Sequence, residues 1–267
     1  MRVTMLMDNI SSSEILTAEH GLSLFIETET KRILFDTGKT DAFARNAEAL
    51  GIDLAAVDLA VVSHGHYDHT GGLARFLELN DHAPVYVQRG AFGHFEAEER
   101  RFIGIAPGVV EALKASGRLV LVDDELDLGD GLSLRSCNAE ERPFDSQSGG
   151  LFMMQDGQPV QDDFRHEQYL SIREGGRHVL ISGCSHKGIL NIMRWFRPDV
   201  LVGGFHFMNV ELLGKGLDIL NNAADALAGY DTAFYTCHCT GKKQFDYLKG
   251  LLGDRLHYFA GGMSVEL

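Results

Sequence analysis

Long apolar runs are missing from this 267-residue sequence, and no stretch approaches the roughly 18 uncharged apolar residues that a membrane-spanning helix needs. The apolar run near the N-terminus is also too short for a secretion signal. Cysteine is scarce, with four residues in a chain long enough to bury a core without disulfides. These absences predict a reduced, cytoplasmic protein that has no membrane partner.

Positive charge is scarce as well, because 24 Lys and Arg residues stand against 38 Asp and Glu and leave a formal net charge of −14. This balance argues against a nucleic-acid partner, which basic side chains would hold through its phosphates. An anionic small-molecule substrate would need a local positive charge, such as a metal ion. No repeat or Pro/Ser-rich linker divides the chain, which predicts a single domain over residues 1–267. The sequence leaves a homo-oligomer open.

Short apolar runs alternate with amphipathic segments, which predicts an α/β protein with sheet inside and helices outside. The apolar runs that predict strands are residues 3–7, 22–27, 32–35, 59–62, 84–87, 119–122, 169–172, 178–181, 199–202 and 233–236. The segments with helical spacing are residues 41–50, 73–79, 108–116, 189–196, 211–227 and 242–252. Two polar stretches, residues 90–106 and 137–165, are interpreted as loops over the site face.

The most informative segment contains His64, His66, Asp68 and His69, directly after the apolar run 59–62. Side chains at i and i+2 share a face of an extended chain, so His64 and His66 can bind the same ion. Asp68 and His69 follow on the turn, within reach of a second centre. Imidazole suits zinc or iron, and a carboxylate adds charge. The pattern predicts one or two transition-metal ions used for hydrolysis.

Other ligand-type residues follow later apolar runs in the same way. They are Cys184, His186, His206, Cys237, His238 and Cys239. Parallel strands end at one edge of a sheet, so we expect several of these side chains near His64. His186 and His238 are the favoured further ligands. Cys184, His206 and His166 remain candidates.

Alternation along an extended chain predicts that Cys237 and Cys239 point away from His238. Asp36 ends a predicted strand and either orients a ligand histidine or caps local amides. Five histidines lack a strand-end setting and are predicted to be surface or structural residues. They are His20, His82, His94, His178 and His257.

A hydrolytic mechanism follows from zinc chemistry, since a bound ion lowers the pKa of water and polarises the electrophile. Two ions can also stabilise the leaving oxygen. Asp68 is predicted to bind metal and orient the nucleophile. His186 or His206 is predicted to protonate the leaving group or bind a phosphate.

Residues 63–72, with the sequence SHGHYDHTGG, resemble the H-x-H-x-D-H signature of the metallo-β-lactamase fold hydrolases. Residues 35–38, FDTG, resemble the strand-ending motif upstream of it. Further blocks resemble the branch that contains the 7,8-dihydropterin-6-methyl-4-(β-D-ribofuranosyl)aminobenzene-5′-phosphate synthase. These blocks are EHGLS at 19–23, GCSHKGI at 183–189, GGFH at 203–206 and HCTG at 238–241.

The resemblance implies a four-layer αββα sandwich with a dinuclear site at one edge. Two zinc ions are expected, with iron or manganese as alternatives. By the family's pattern, His64, His66 and a third histidine bind one ion, and the third histidine is His166 or His186. The implied ligands of the other ion are Asp68, His69 and His238. Cys184 stands where the family usually has a bridging carboxylate.

Three functions are compatible with these observations. The first is a metal-dependent hydrolase acting on a small, phosphorylated or cyclic-phosphate metabolite. The second is a carbon–nitrogen bond-forming transferase similar to the pterin-linked synthase. The third is an iron-based redox or sensing protein on the same fold.

Overall fold

The computed structural model describes all 267 residues and contains seventeen strands and seven α-helices. The strands are β1 (Arg2–Met7), β2 (Ser23–Glu27), β3 (Arg32–Phe35), β4 (Leu59–Val62), β5 (Val85–Gln88), β6 (Phe95–Glu96), β7 (Leu119–Val122), β8 (Glu125–Gly129), β9 (Leu132–Arg135), β10 (Phe152–Gln155), β11 (Gln158–Gln161), β12 (Tyr169–Glu174), β13 (Arg177–Ile181), β14 (Val200–Val202), β15 (Ala233–Thr236), β16 (Leu256–Tyr258) and β17 (Ser264–Glu266). The helices are α1 (Ala42–Ala49), α2 (Tyr67–Thr70), α3 (Leu73–Leu79), α4 (Pro107–Ala115), α5 (Ile189–Phe196), α6 (Lys215–Ala228) and α7 (Lys242–Leu252). No helix combines the length and apolar character that a membrane crossing requires.

Two seven-stranded sheets form the centre of the fold. The strand order is β17-β1-β2-β3-β4-β5-β7 in the first sheet and β16-β15-β14-β13-β12-β9-β8 in the second. In the first sheet β3, β4, β5 and β7 are parallel, and in the second β13, β14, β15 and β16 are parallel. Within each parallel set, the carboxyl ends of the strands meet at one edge.

Apolar side chains from both sheets pack together in one central core, which includes Ile33 and Val61 of the first sheet and Ile172 and Val179 of the second. The outer face of the first sheet packs against α1, α3 and α4. The outer face of the second packs against α5, α6 and α7. The predicted αββα sandwich is therefore confirmed.

The elements that position the site form for reasons visible in the local sequence. All four residues of β4 are apolar and buried, as expected of a strand covered on both faces. Helix α5 buries Ile192, Met193 and Phe196 at helical spacing. It ends at Arg197, whose left-handed φ of 45° closes the helix before Pro198.

Three parts of the structure differ from the sequence prediction. The polar stretches 90–106 and 137–165 were interpreted as loops, but β6 and the hairpin β10–β11 form a three-stranded sheet. The hairpin β8–β9 was also missed. Most residues of these short strands are partly or fully exposed, so they lack the buried apolar runs from which the other strands were predicted. Helix α6 begins at Lys215 rather than near residue 211, because Gly214 has a non-helical φ of 51°.

Candidate metal centre

The metal-ligand side chains predicted from the sequence gather where strands of the two sheets end. Strand β4 leads into His64 and His66, β13 into Cys184 and His186, and β15 into His238. Several groups of three side chains here have ligand atoms that all lie within 4.8 Å of one another. The expected convergence of these strand ends is therefore present in the structure.

The first group consists of His64, His66 and His186. The Nε2 atoms of His64 and His186 are 3.2 Å apart, and Nε2 of His66 is buried without a hydrogen-bond partner. Tetrahedral zinc with bonds of about 2.0–2.1 Å holds two ligand nitrogens about 3.3 Å apart. The spacing of the two Nε2 atoms fits such an ion.

The hydrogen-bond network also assigns the tautomers of these rings. Ser63 Oγ donates to Asp36, so Nδ1 of His64, 2.8 Å away, donates to Ser63 Oγ. Ser148 Oγ donates to the carbonyl of His186 and accepts from Nδ1 of the same residue at 3.2 Å. Each Nε2 therefore carries a lone pair, and the two lone pairs face each other. A cation between them removes this repulsion.

The second group surrounds the carboxylate of Asp68. Its Oδ2 lies 3.2 Å from Nε2 of His238 and 3.5 Å from Nε2 of His69. Asn9 Oδ1 accepts a hydrogen bond from Nδ1 of His238 at 2.8 Å, because the Asn9 amide nitrogen donates to the His238 carbonyl. Nε2 of His238 therefore has no proton and no hydrogen-bond partner. An acceptor nitrogen this close to a carboxylate oxygen again fits a shared cation.

Two of the candidate ligand histidines are neutral near pH 7. Burial lowers the pKa of His66 to about 3 and that of His238 to about 4. Neutral imidazole is the form that binds metal. Burial opposes protonation of a third, His69, but the charges of Asp68 and Asp36 outweigh it and raise the pKa of that ring, so metal binding there would displace a proton. Burial opposes ionisation of Asp68, but the charge of His69 and contacts with His20 and His238 outweigh it. They hold the pKa of Asp68 well below its usual range.

Cys184 lies beside both groups. Its Sγ is 3.2 Å from Nε2 of His69, and the ligand atoms of His64, His69 and Cys184 lie within 4.8 Å of one another. Burial, followed by the contact with Cys239, raises the pKa of the Cys184 thiol well above its usual value. A bound cation has to offset this burial for the thiolate to form.

Asp36 supports the ligands from behind. Its Oδ2 accepts hydrogen bonds from Nδ1 of His69 at 2.7 Å and Oγ of Ser63 at 2.6 Å, and its Oδ1 accepts from the Ser63 amide at 2.7 Å. Of the two roles considered from the sequence, the structure has the carboxylate orienting a histidine. The contact leaves Nε2 of His69 directed at Asp68 and Cys184.

His166 has a different environment from His186. Its Nδ1 accepts a hydrogen bond from the Gly65 amide at 3.1 Å, and its Nε2 donates to Oδ2 of Asp162 at 3.0 Å. Both ring nitrogens are therefore engaged. Gly65 lies between His64 and His66, so His166 holds the loop that carries these two side chains.

A cavity of about 160 Å³ opens beside the groups and is lined in part by Tyr67, Arg101, His206 and Met208. Nδ1 of His206 donates to the Gln147 carbonyl at 3.0 Å, which leaves Nε2 for the cavity. Burial lowers the pKa of His206, so the ring is neutral and Nε2 accepts hydrogen bonds near pH 7. The cavity wall thus includes the acceptor imidazole of His206 and the guanidinium of Arg101.

Comparison with known families matches residues 16–227 to the metallo-beta-lactamase superfamily. The chain belongs to this superfamily. An uncharacterized protein of Methanocaldococcus jannaschii is 30% identical over 255 residues, which cover 93% of this chain and 94% of that protein. The 7,8-dihydropterin-6-methyl-4-(beta-D-ribofuranosyl)-aminobenzene-5′-phosphate synthase of the same organism is 31% identical over 215 residues, 73% of each chain.

Solved structures share the fold of this chain. Tm1679, described as a metal-dependent hydrolase of the beta-lactamase superfamily, has 28% identity and a TM-score of 0.83, covering 100% of this chain and 99% of its own. Zn²⁺-bound PqqB from Methylobacterium extorquens has a TM-score of 0.60 at 11% identity over all of both chains. The second similarity concerns the fold alone.

One prediction about the site was incomplete, and another was wrong. His20 was predicted to be a surface or structural residue, and its side chain is 40% exposed, but its Nε2 also lies 3.2 Å from Oδ2 of Asp68. The resemblance of residues 19–23 to the synthase branch was the only sequence signal for it. Cys239 was predicted to point away from His238, but its Sγ joins the group formed with Cys184 and His238. The backbone is not extended there, because His238 has a φ of 48° and begins a 3₁₀ turn.

Cys237 behaves as predicted, since its side chain lies in the central core between the sheets. Of the other histidines without a strand-end setting, His82 and His94 contact neighbouring carboxylates at exposed positions. His178 bonds to Ser171 within the second sheet, and His257 stacks on Tyr235.

Proposed function

We propose that this superfamily member is a metal-dependent hydrolase that holds two zinc-type ions and acts on a small anionic, phosphorylated metabolite. The supporting observation is the pair of close approaches between acceptor atoms. One joins Nε2 of His64 to Nε2 of His186, and the other joins Nε2 of His238 to Oδ2 of Asp68. Neither approach is favourable without a cation.

The ligand assignment follows the two groups. His64, His66 and His186 would hold one ion, and Asp68, His69 and His238 would hold the other. Cys184 lies beside both groups, at the position of the usual bridging carboxylate. When bound, such ions activate water as a nucleophile and polarise the bond that it attacks.

The remaining roles belong to side chains in the cavity. The Asp68 carboxylate orients the attacking water by accepting a hydrogen bond from it. With His186 assigned as a ligand, His206 is the imidazole that accepts a hydrogen bond from the substrate or relays a proton at Nε2. Arg101 supplies positive charge at the cavity wall, in a chain whose net charge is −14. This charge favours an anionic substrate.

The similarity to Tm1679 supports the hydrolase assignment. The similarity to the pterin-linked synthase favours a second candidate, a transferase that forms a carbon–nitrogen bond. The same metal centre could serve either reaction, since both need an activated nucleophile and a bound phosphate. An iron-based redox or sensing role is the third candidate, and manganese is a further metal to test for.

Metal analysis of the purified protein, combined with assays on a chromogenic phosphodiester, a phosphomonoester and a lactone, tests this proposal. We expect two zinc ions per chain and turnover of at least one phosphoester. Iron in the site, with no hydrolysis of any ester, would contradict the hydrolase. Joining of the 6-methyl carbon of an activated dihydropterin to the amine of a ribofuranosylaminobenzene 5′-phosphate, with release of the pterin's leaving group and of the amine proton and with no ester hydrolysis, would favour the transferase.

Two single variants distinguish the candidates for the third histidine ligand. We expect His186→Ala to lose one of the two ions, because Nε2 of His186 faces the first group directly. We expect His166→Gln to keep both ions with affinity reduced about 10- to 100-fold, as for other outer partners of metal ligands. Metal stoichiometry and chelator competition measure both effects. The reverse pattern would assign His166 as the ligand.

A further inference from the structure

His20 is the least buried side chain at the metal centre, with 40% of its side chain exposed. Its Nε2 nevertheless points inward and lies 3.2 Å from Oδ2 of Asp68. The ring also lies 4.9 Å, centroid to centroid, from the ring of His238. Ligand atoms of His20, Asp68 and His238 all lie within 4.8 Å of one another. Two imidazoles and one carboxylate thus converge at the cavity side of the centre.

The backbone around His20 is held tightly against this corner. The Leu22 amide donates to the Asp68 carbonyl at 3.2 Å, and the Glu19 amide donates to the Asp8 carbonyl at 3.3 Å. A Cβ at Gly21 would lie 2.8 Å from the Asp68 carbonyl oxygen, so only glycine permits this approach. The inward position of the His20 ring is therefore imposed by its loop.

The same loop also holds His238. Asn9 Oδ1 accepts hydrogen bonds from Nδ1 of His238 at 2.8 Å and from the Gly21 amide at 3.3 Å. One amide oxygen therefore fixes both the His238 ring and the segment that carries His20. The Glu19 carboxylate anchors the other side of this segment by accepting from the amides of Lys39 and Thr40.

We propose that Nε2 of His20 is a ligand of the ion held by Asp68 and His238, a donor added to the proposed dinuclear centre. The inference rests on that proposed centre. Cys184 replaces the usual bridging carboxylate, so Asp68 is the one carboxylate in the two ligand groups. The imidazole of His20 gives this second ion a further protein donor beside Asp68, His69 and His238. Because the ring is partly exposed, this ion exchanges more readily than the one held by His64, His66 and His186.

The test compares the parent protein with His20→Ala and His20→Asn. The asparagine variant keeps an amide that can donate to Asp68 but lacks the imidazole nitrogen. We expect the parent to bind two ions. Both variants should bind one ion tightly, and their affinity for the second ion should fall about a hundredfold or more, which is the upper end for loss of an outer partner. Stoichiometry after dialysis and competition with a chromophoric chelator measure the change. Substituted Co²⁺ should lose part of its visible absorption.

His82→Ala is the matched control, because it removes a histidine whose side chain is 55% exposed and lies outside the centre. It should bind both ions as the parent does. Unchanged affinity for both ions in His20→Ala overturns the inference, and a raised KM in that variant would make His20 a substrate contact instead. If the parent and His82→Ala themselves bind fewer than two ions, the dinuclear function fails, and the His20 assignment fails with it.

Discussion

Replacing both His64 and His66 by alanine is expected to remove the first ion and abolish turnover. Both imidazoles are buried, and Nε2 of each has no protein donor to satisfy it. We expect kcat/KM to fall by about a thousandfold or more, which corresponds to about 4 kcal/mol of transition-state stabilisation. Metal content by elemental analysis and steady-state kinetics on the substrate found for the parent measure the two losses.

A control for this double variant is His94→Ala, which removes an exposed imidazole paired with Glu96 away from the ligand groups. It should keep both the ions and the activity. Thermal unfolding of the metal-free forms shows whether the double variant still folds. Full metal content in a folded double variant would mean that the site has been assigned to the wrong residues.

Replacing Asp36 by alanine is expected to destabilise the fold and the second ion together. The fully buried carboxylate accepts hydrogen bonds from the Ser63 amide, the Ser63 hydroxyl and Nδ1 of His69. Removing one partner of such a buried pair costs about 3–5 kcal/mol. Losing the support of a ligand histidine should also weaken metal binding about 10- to 100-fold. Urea unfolding of the metal-free protein and chelator competition measure these effects separately.

Asp53→Ala is the matched control for Asp36→Ala. Its carboxylate caps a 3₁₀ turn by accepting from the Ala55 amide at an exposed position. We expect this variant to lose about 1 kcal/mol and to bind metal normally. If Asp36→Ala also loses only about 1 kcal/mol of unfolding free energy, the buried hydrogen bonds of Asp36 stabilise the fold no more than an exposed cap does.

Local sequence patterns were sufficient to predict many of the strands and helices of the fold. Strand β4 could be predicted because burial on two faces leaves a continuous apolar run, and helix α5 because burial of one stripe leaves a helical period. The strands β6, β8 and β10 could not be predicted from local sequence patterns. Their residues are mostly partly or fully exposed and lack a buried apolar run; β8 pairs only with the adjacent β9, whereas β6 pairs with β10 far along the chain.

The unpredicted contact of His20 and the wrong prediction for Cys239 have separate causes. His20 carries no local pattern, and it reaches the centre only because the loop from Asp8 to Leu22 packs against Asp68. Cys239 was placed by assuming an extended chain. The positive φ of His238 turns the backbone and brings both side chains to the same centre.

The sequence by itself determined that a metal centre of imidazoles and a carboxylate is present, since His64, His66, Asp68 and His69 are neighbours along the chain. It also identified the superfamily. Which distant histidine completes the first group was decided only by the tertiary structure. His186 lies 122 residues from His64, and strand order and loop path bring their Nε2 atoms together. The path of residues 162–166 instead engages both ring nitrogens of His166 with Asp162 and Gly65.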